Sequence, residues 1–276
     1  MDLHAITTIA RQELVVNIRN KWILTFAVTF AVLVLAISYF GLVTAGSVGF
    51  QGFTRTSASL LSLVLYVMPL IALTMGTLSF TSERSVSELL FAQPVTRTEI
   101  LLGKLAGLFA SMVTATLIGF GVGGLVIAMQ AGSEGAGRYP VFVALSLLLA
   151  LAFLSLSGLV AFLSQRKARA FGVALILWFF FVVFYDLLVM GGTLLLKERT
   201  ANFFIFVSLF GNPVDMVRVA SLIVLDGKEI FGAAGGALVR FLGGESAGLL
   251  LLVGSLLLWI VMPLLASRLL LKRQDI

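Results

Sequence analysis

Cysteine is absent from this chain, histidine occurs once, and charged residues are scarce. Of 276 residues, one is histidine (His4) and only 12% are charged, against about 25% in soluble domains. Without cysteine no disulfide or thiolate site can form, and zinc sites of the usual nitrogen and sulfur ligands are excluded. A hydrolase is poorly supported, because one histidine and no supported carboxylate pair remain. The sequence therefore predicts no catalytic residue and no metal site.

Long hydrophobic runs dominate the rest of the sequence. Hydrophobic residues make up 60% of the chain, and the mean hydropathy is +1.11. A helix needs about 20 residues to cross about 30 Å of hydrocarbon, and the runs reach that length without the alternation of barrel strands. We expect an all-α membrane protein with a single domain over residues 1–276 and six transmembrane helices. The predicted spans are 22–43, 58–80, 100–129, 141–163, 171–196 and 248–267.

The distribution of lysine and arginine orients these spans. The net charge of +6 could attract nucleic acid, but in a membrane protein its sidedness is more informative. With the N-terminus inside, the two short outer loops carry only Arg55 and Arg138. The inner side then holds Arg11, Arg19, Lys21, Arg84, Arg97, Lys104, Arg166, Lys167, Arg169, Arg268, Lys272 and Arg273. We therefore expect both termini to be cytoplasmic and no nucleic-acid partner.

The first 21 residues predict a helix that lies at the membrane interface. Apolar residues recur at helical spacing, although Glu13 and Asn17 interrupt the edge of the stripe. The stripe consists of Leu3, Ile6, Ala10, Leu14 and Ile18. Two interpretations remain open at this point: the helix serves only as a lipid anchor, or its surface also contacts a cytosolic partner.

A charged segment, residues 81–99, separates the second and third spans. Ser85 and Glu88 have the spacing of a reciprocal capping box, and Pro94 prevents the helix that they start from continuing. Thr96 and Glu99 repeat the capping pattern where the third span begins. Charged residues are costly in hydrocarbon, so the segment is expected at the membrane surface. It serves there either as a simple interfacial connector or as a docking element for a partner.

The segment 197–247, between the last two spans, contains two apolar stretches that are each too short to cross a bilayer. We expect them to dip into the membrane or to pack outside it. A seventh span across both stretches would bury Asp215 and Arg218 and would place the C-terminal basic residues outside. Asn212 and Pro213 predict a helix start, because asparagine is a favoured N-cap and proline a favoured first residue. Asp215 and Arg218 stand one turn apart in that helix.

Asp186 is an acidic residue inside the fifth predicted span. A carboxylate in mid-membrane costs about 2.5–3.5 kcal/mol even on permissive scales, so Asp186 is expected to face protein or water. It is either a substrate or ion ligand, or a bonding partner for a neighbouring helix; a position near the outer interface is a third alternative. Met68 and Met75 share one helical face and could bind monovalent copper, but packing is the favoured interpretation.

These motifs together resemble those of six-span ABC transporter permeases of the type V exporter-like class, over the whole chain. The resemblance implies an N-terminal elbow helix, a cytoplasmic coupling helix between spans 2 and 3, and outer re-entrant or packed helices between spans 5 and 6. The implied ATPase-coupling residues are Glu83, Arg84, Ser85, Ser87, Glu88, Leu89, Leu90, Pro94 and Arg97. The implied elbow residues are Arg11, Glu13 and Arg19, and the implied contacts to a periplasmic partner are Asn212, Pro213, Asp215 and Arg218.

The resemblance also implies partners. They are two cytosolic ATPase subunits, a second copy of the chain and a periplasmic protein on the outer segment, with the complex in a bacterial inner membrane. The chain lacks a phosphate-binding loop, because Gly103-Lys104 and Gly227-Lys228 are not followed by a hydroxyl residue. ATP and magnesium are therefore expected on the ATPase subunits, and no cofactor is expected in this non-catalytic chain.

Within the class, the resemblance points to permeases that serve copper-site assembly of nitrous-oxide reductase in denitrification. A generic exporter of the same class is the alternative. A secondary transporter would show internal repeats and charged residues along several spans, and neither is evident. A structural membrane anchor would leave the capped inner segment without a partner.

Overall fold

The computed structural model describes residues 2–19, 28–29, 31–36, 50–81, 95–131, 136–164, 166–225 and 238–273, and the regular structure in these ranges is helical. A π-helical segment, Phe180–Phe184, joins two of the helices, and a 3-10 turn, Leu209–Gly211, joins two others. The helices are α1 (Leu3–Arg19), α2 (Phe50–Thr81), α3 (Arg97–Ala131), α4 (Tyr139–Ser164), α5 (Lys167–Phe179), α6 (Tyr185–Leu194), α7 (Glu198–Ser208), α8 (Pro213–Val224) and α9 (Glu245–Arg273).

The predicted multi-pass, all-α membrane architecture is confirmed. Within the described residues, five segments are long and apolar enough to cross a membrane, and they correspond to the second to sixth predicted spans. They are Leu60–Thr81, Arg97–Gly121, Tyr139–Ser164, Lys167–Leu194 and Glu245–Leu271. The first predicted span, 22–43, lies largely outside the described residues.

Helix α4 forms the centre of the bundle. It packs against α2, α3, α5, α8 and α9. Of the residues in its most apolar stretch, 67% are buried within this chain. A helix that is hydrophobic on all sides is expected at such a position. Phe142 and Phe153 of α4 are fully buried. In the fifth span and in α9, only 17% and 22% of the residues in the most apolar stretch are buried. These two spans therefore present apolar side chains outward from this chain.

Helix α1 packs closely along the first turns of α3. A Cβ at Gly107 would lie 2.5 Å from the carbonyl oxygen of Ala10, and one at Gly103 would lie 2.7 Å from the Cβ of Ile9. Real Cβ atoms do not approach other atoms so closely, so glycine is needed at these two positions for the helices to meet. Leu3–Arg19 form a helix, as the sequence predicts. Its placement at the membrane interface stays a prediction.

The packed face of α1 contains the middle of the predicted apolar stripe but not its two ends. Leu3 and Ile18 are 75% and 52% exposed, whereas Glu13 and Asn17 lie on the inward side and bond to one another. Glu13 and Asn17 extend the packed face, because three residues of the stripe are half-buried as well: Ile6, Ala10 and Leu14. Glu13 can lie on this face because it finds bonding partners on the neighbouring spans.

The outer segment bends sharply. Residues 203–211 and α8 meet at 109°, so no straight seventh span runs through the two apolar stretches. Asn212 caps α8, since its side-chain oxygen accepts a hydrogen bond from the backbone nitrogen of Val214 at 3.0 Å, and Pro213 occupies the first turn. The predicted start of this helix is confirmed. Whether the bent pair enters the membrane stays a prediction.

Candidate functional site

The first of two polar networks joins α1 to the two spans on either side of residues 82–94. The hydroxyl of Ser79, near the end of α2, donates to Oε1 of Glu13 at 2.7 Å. Nζ of Lys104, on α3, lies 3.8 Å from Oε2 of Glu13 and donates to the carbonyl oxygen of Ser79 at 3.1 Å. The Glu13 and Lys104 side chains are only 12% and 11% exposed. One carboxylate thus connects three helices.

Glu99 fastens the start of α3 to the start of α1. Its Oε2 accepts from the backbone nitrogen of Thr96 at 2.8 Å, and the Thr96 hydroxyl accepts in return from the backbone nitrogen of Glu99 at 3.4 Å. This is the reciprocal capping box that the sequence predicted. Oε1 of Glu99 also accepts from the backbone nitrogen of Asp2 at 2.6 Å. We refer to the set Asp2, Glu13, Ser79, Thr96, Glu99 and Lys104 as the N-terminal joint.

Arg97 ties the joint to the last helix. Its guanidinium donates to the carbonyl oxygen of Leu271 at 2.7 Å, one of the carbonyls that a helix leaves unpaired at its C-terminal end. The other predicted coupling residues, namely Glu83, Arg84, Ser85, Ser87, Glu88, Leu89, Leu90 and Pro94, lie outside the described residues. Arg11 and Arg19 are exposed on α1.

The second network holds the bend between α7 and α8. NH1 of Arg218 donates to Oδ1 of Asp215 at 2.6 Å and to Oδ2 of Asp186 at 3.1 Å. Asn212 donates to Oδ2 of Asp215 at 2.8 Å. We refer to Asp186, Asn212, Asp215 and Arg218 as the bend cluster. Asp186 thus bonds to a neighbouring helix, which is one of the alternatives that the sequence left open for this residue.

The π-helical segment explains how Asn212 reaches the fifth span. At its end, the backbone nitrogen of Tyr185 donates to the carbonyl oxygen of Phe180 rather than to that of Phe181, the partner that a regular α-helix would use. The Phe181 carbonyl instead accepts from the side-chain amide of Asn212 at 2.9 Å. Asn212 therefore caps α8 and also bonds to a carbonyl that the π segment releases.

Two aromatic side chains fix the bend from neighbouring spans. The Tyr185 hydroxyl donates to the carbonyl oxygen of Ser208 at 2.6 Å, and the Trp259 indole donates to that of Phe210 at 3.1 Å. Sequence reasoning did not identify either residue as part of the site. The available signal was their amphipathic character, because a tyrosine or tryptophan within a bundle needs a partner for its polar atom.

The bend cluster borders a cavity of about 440 Å³ with otherwise largely apolar walls, including Met190, Ile205 and Phe206. The side chain of Asp186 is 44% exposed and that of Arg218 is 30% exposed, whereas Asn212 and Pro213 are buried. Asp186 stands 19 residues after the start of the fifth span, about 28 Å along the helix. That distance places it toward the end of the span rather than its middle.

The charges of the two networks define what each can do. In the N-terminal joint, Glu13 and Lys104 balance one another, and the Glu99 carboxylate accepts from two backbone N–H groups, so these side chains hold helices together. In the bend cluster, two carboxylates share one guanidinium, which leaves one negative charge beside the cavity. Within the described residues, no group of three or more histidine, cysteine, aspartate or glutamate side chains could hold a metal ion. Met68 is fully buried and Met75 packs against the same core.

Comparison with known proteins places this architecture in a family. A family model described as "ABC-2 family transporter protein" matches residues 7–276. The chain belongs to the ABC-2 family of transporter proteins. It is 37% identical over 235 residues to a protein of Pseudomonas aeruginosa named "Probable ABC transporter permease protein NosY", a match that covers 83% of this chain and 84% of the relative.

A second ABC-2 relative, from Stutzerimonas stutzeri, carries the same name. It is 34% identical over 242 residues, which cover 86% of this chain and 87% of the relative. The resemblance to ABC permeases found in the sequence is thus confirmed, including its narrower form, a likeness to NosY. The chain is a multi-pass membrane protein of the ABC permease type.

Proposed function

We propose that this chain is the membrane-spanning, non-catalytic subunit of an ABC transporter of the NosDFY kind. It would pair with a second copy of itself, bind two NosF-like ATPase subunits on the cytoplasmic side, and contact a NosD-like periplasmic protein. In this assignment, ATP hydrolysis supports assembly of the copper sites of nitrous-oxide reductase during denitrification. The relatives named NosY support the assignment, and the orientation follows from the basic residues.

The N-terminal joint is the observation that carries the coupling role. Residues 82–94 connect α2 to α3 in the sequence, and the two helix ends that flank them are bonded to residues 2–19 through Glu13, Lys104 and Glu99. A force applied to this segment by an ATPase would therefore act on α1, α2 and α3 together. A flexible connector without this joint would absorb the movement locally.

The accessible side of the bend cluster is the proposed contact for the periplasmic protein. Asn212 and Pro213 are buried in this chain, so they would position the contact, while Asp186 and Arg218 offer exposed surface. A partner with a basic side chain would complement the excess negative charge there.

The test is to purify the tagged chain in mild detergent from cells that express the whole gene cluster, and to identify the proteins that copurify. The proposal predicts an ATPase together with a periplasmic protein, and ATP hydrolysis by the preparation. An ATPase without a periplasmic partner would indicate a generic type V exporter. Neither protein and no hydrolysis would contradict the proposal and favour a secondary transporter or a structural anchor.

A further inference from the structure

A groove separate from the bend cavity lies between α1, α2 and α5. It has a volume of about 650 Å³, within the range of about 300–1,000 Å³ that is usual for small-ligand sites. One end is polar and is formed by Glu13, Lys104 and Lys167; the remaining walls are mostly apolar and include Leu70, Phe171 and Leu175. Phe171 and Leu175 are 37% and 38% exposed, so the groove opens to the side of the bundle.

The polar end carries a net positive charge. Glu13 and Lys104 form an ion pair, and Lys167 adds a second cation to the lining. Lys167 is exposed and, among the described residues, has no ion-pair partner. Arg166 and Arg169 are exposed beside it at the start of the fifth span. The positive charge at this end would attract the anionic group of a ligand and would repel a cationic group.

The apolar part of the groove follows the membrane-spanning helices. On α2 its lining extends from Ser79 to Leu70, about 13 Å along the helix, and on α5 from Lys167 to Leu175, about 12 Å. One leaflet of a bilayer has a hydrocarbon depth of about 15 Å, half of about 30 Å. The groove is therefore matched to a molecule that has an acyl chain in one leaflet and a charged head at the surface.

We propose that this groove binds an anionic phospholipid, with its headgroup at Lys167 and an acyl chain against Leu70, Phe171 and Leu175. We assign the lipid to the inner leaflet, and only this assignment rests on the proposed function. Because Glu13 and Lys104 belong to both the groove and the N-terminal joint, a lipid bound here would contact the joint directly.

The experiment is native mass spectrometry of the full chain, with its copurifying subunits, titrated with phosphatidylglycerol or phosphatidylcholine. Wild-type protein is expected to bind phosphatidylglycerol more tightly than phosphatidylcholine. Lys167→Gln should weaken phosphatidylglycerol binding about fivefold, since one basic residue near a membrane surface contributes about 1 kcal/mol. Phosphatidylcholine binding should be unchanged. Thr74→Phe, which places a ring in the groove, should reduce binding of both lipids.

Lys197→Gln is the matched control, because Lys197 is exposed and lies beyond the opposite end of the fifth span. It should leave both affinities unchanged. Equal loss in Lys167→Gln and Lys197→Gln, or wild-type affinity in Lys167→Gln or in Thr74→Phe, would overturn the proposal. So would equal affinity of the wild-type protein for the two lipids. The readout does not involve ATP hydrolysis, so its failure is distinct from failure of the proposed function.

Discussion

The N-terminal joint and the bend cluster are both polar networks in an apolar chain, and they differ in charge balance and in access to the surroundings. In the joint, Glu13 and Lys104 are paired and nearly buried, with side chains 12% and 11% exposed. In the bend cluster, Asp186 and Asp215 share Arg218, and the Asp186 side chain is 44% exposed. The Glu13–Lys104 pair of the joint is nearly buried and its two charges cancel, whereas the bend cluster is open and carries excess negative charge.

The two networks also differ in how far apart in the sequence the residues that they join can lie. The bonds of Glu13 with Ser79 and of Glu99 with Asp2 join residues 66 and 97 positions apart, whereas those of the bend cluster span 3 to 32 positions. A nearly buried ion pair between helices that are distant in sequence suits the transmission of movement through the bundle. An open network at a sharp bend suits recognition, because its exposed charge can exchange a solvent contact for a partner.

The largest expected effect is a break in the packing of the joint. Gly107→Ala should lower the free energy of unfolding by about 3 kcal/mol, since the added Cβ would lie 2.5 Å from the Ala10 carbonyl oxygen and 2.6 Å from the Cβ of Glu13, atoms that cannot move without shifting α1. Thermal unfolding in detergent measures this. Gly121→Ala on the same helix is the control, because its Cβ would meet nothing within 4 Å. Equal stability of the two variants would show that the close approach of α1 is unimportant.

A smaller effect is expected when the bend cluster loses its cation. Arg218→Ala leaves Asp186 and Asp215 facing one another without a compensating charge, and the Asp215 side chain is only 14% exposed. We expect a loss of about 2 kcal/mol, reduced from the value for a buried pair because Arg218 is partly solvated. The same unfolding assay applies, and an unchanged melting temperature would mean that the cluster is not a structural unit.

The smallest effect on stability should come from Asp186→Asn. The ion pair of Arg218 with Asp215 remains, and the lost interaction is partly exposed, so a change below about 1 kcal/mol is expected. If the exposed charge serves recognition, retention of the periplasmic partner should nevertheless fall, which copurification measures. Full retention, with reductase maturation intact, would remove the Asp186 charge from the mechanism.

The capping motifs were predictable from sequence because each depends on residues within one turn. Thr96 with Glu99 and Asn212 with Pro213 form as expected. The N-terminal joint was not predictable, since Glu13 interrupts an apolar stripe and its partners are remote in sequence. The sequence did contain one signal for a polar contact here, because two opposite charges lie in the first turns of an apolar span: Glu99 and Lys104.

The π-helical segment was equally hidden from sequence reasoning. The run Phe180–Phe184 contains no proline or glycine to mark an irregularity, and its cause lies in tertiary structure, where Asn212 bonds to the carbonyl oxygen of Phe181. A pattern of apolar residues fixes the length of a span, but the positions at which its backbone bonds to other segments depend on what packs beside it.

The most direct test of the coupling role replaces Glu88, Leu89 and Leu90 together with alanine in the assembled transporter. The control is the triple replacement of Leu195, Leu196 and Lys197, which removes two leucines and one charge from an exposed turn at the far end of the fifth span. We expect the first variant to lose copurification of the ATPase, or to lower its turnover to that of the isolated ATPase, while the control retains both. Assembly and turnover unchanged in the first variant would contradict the account.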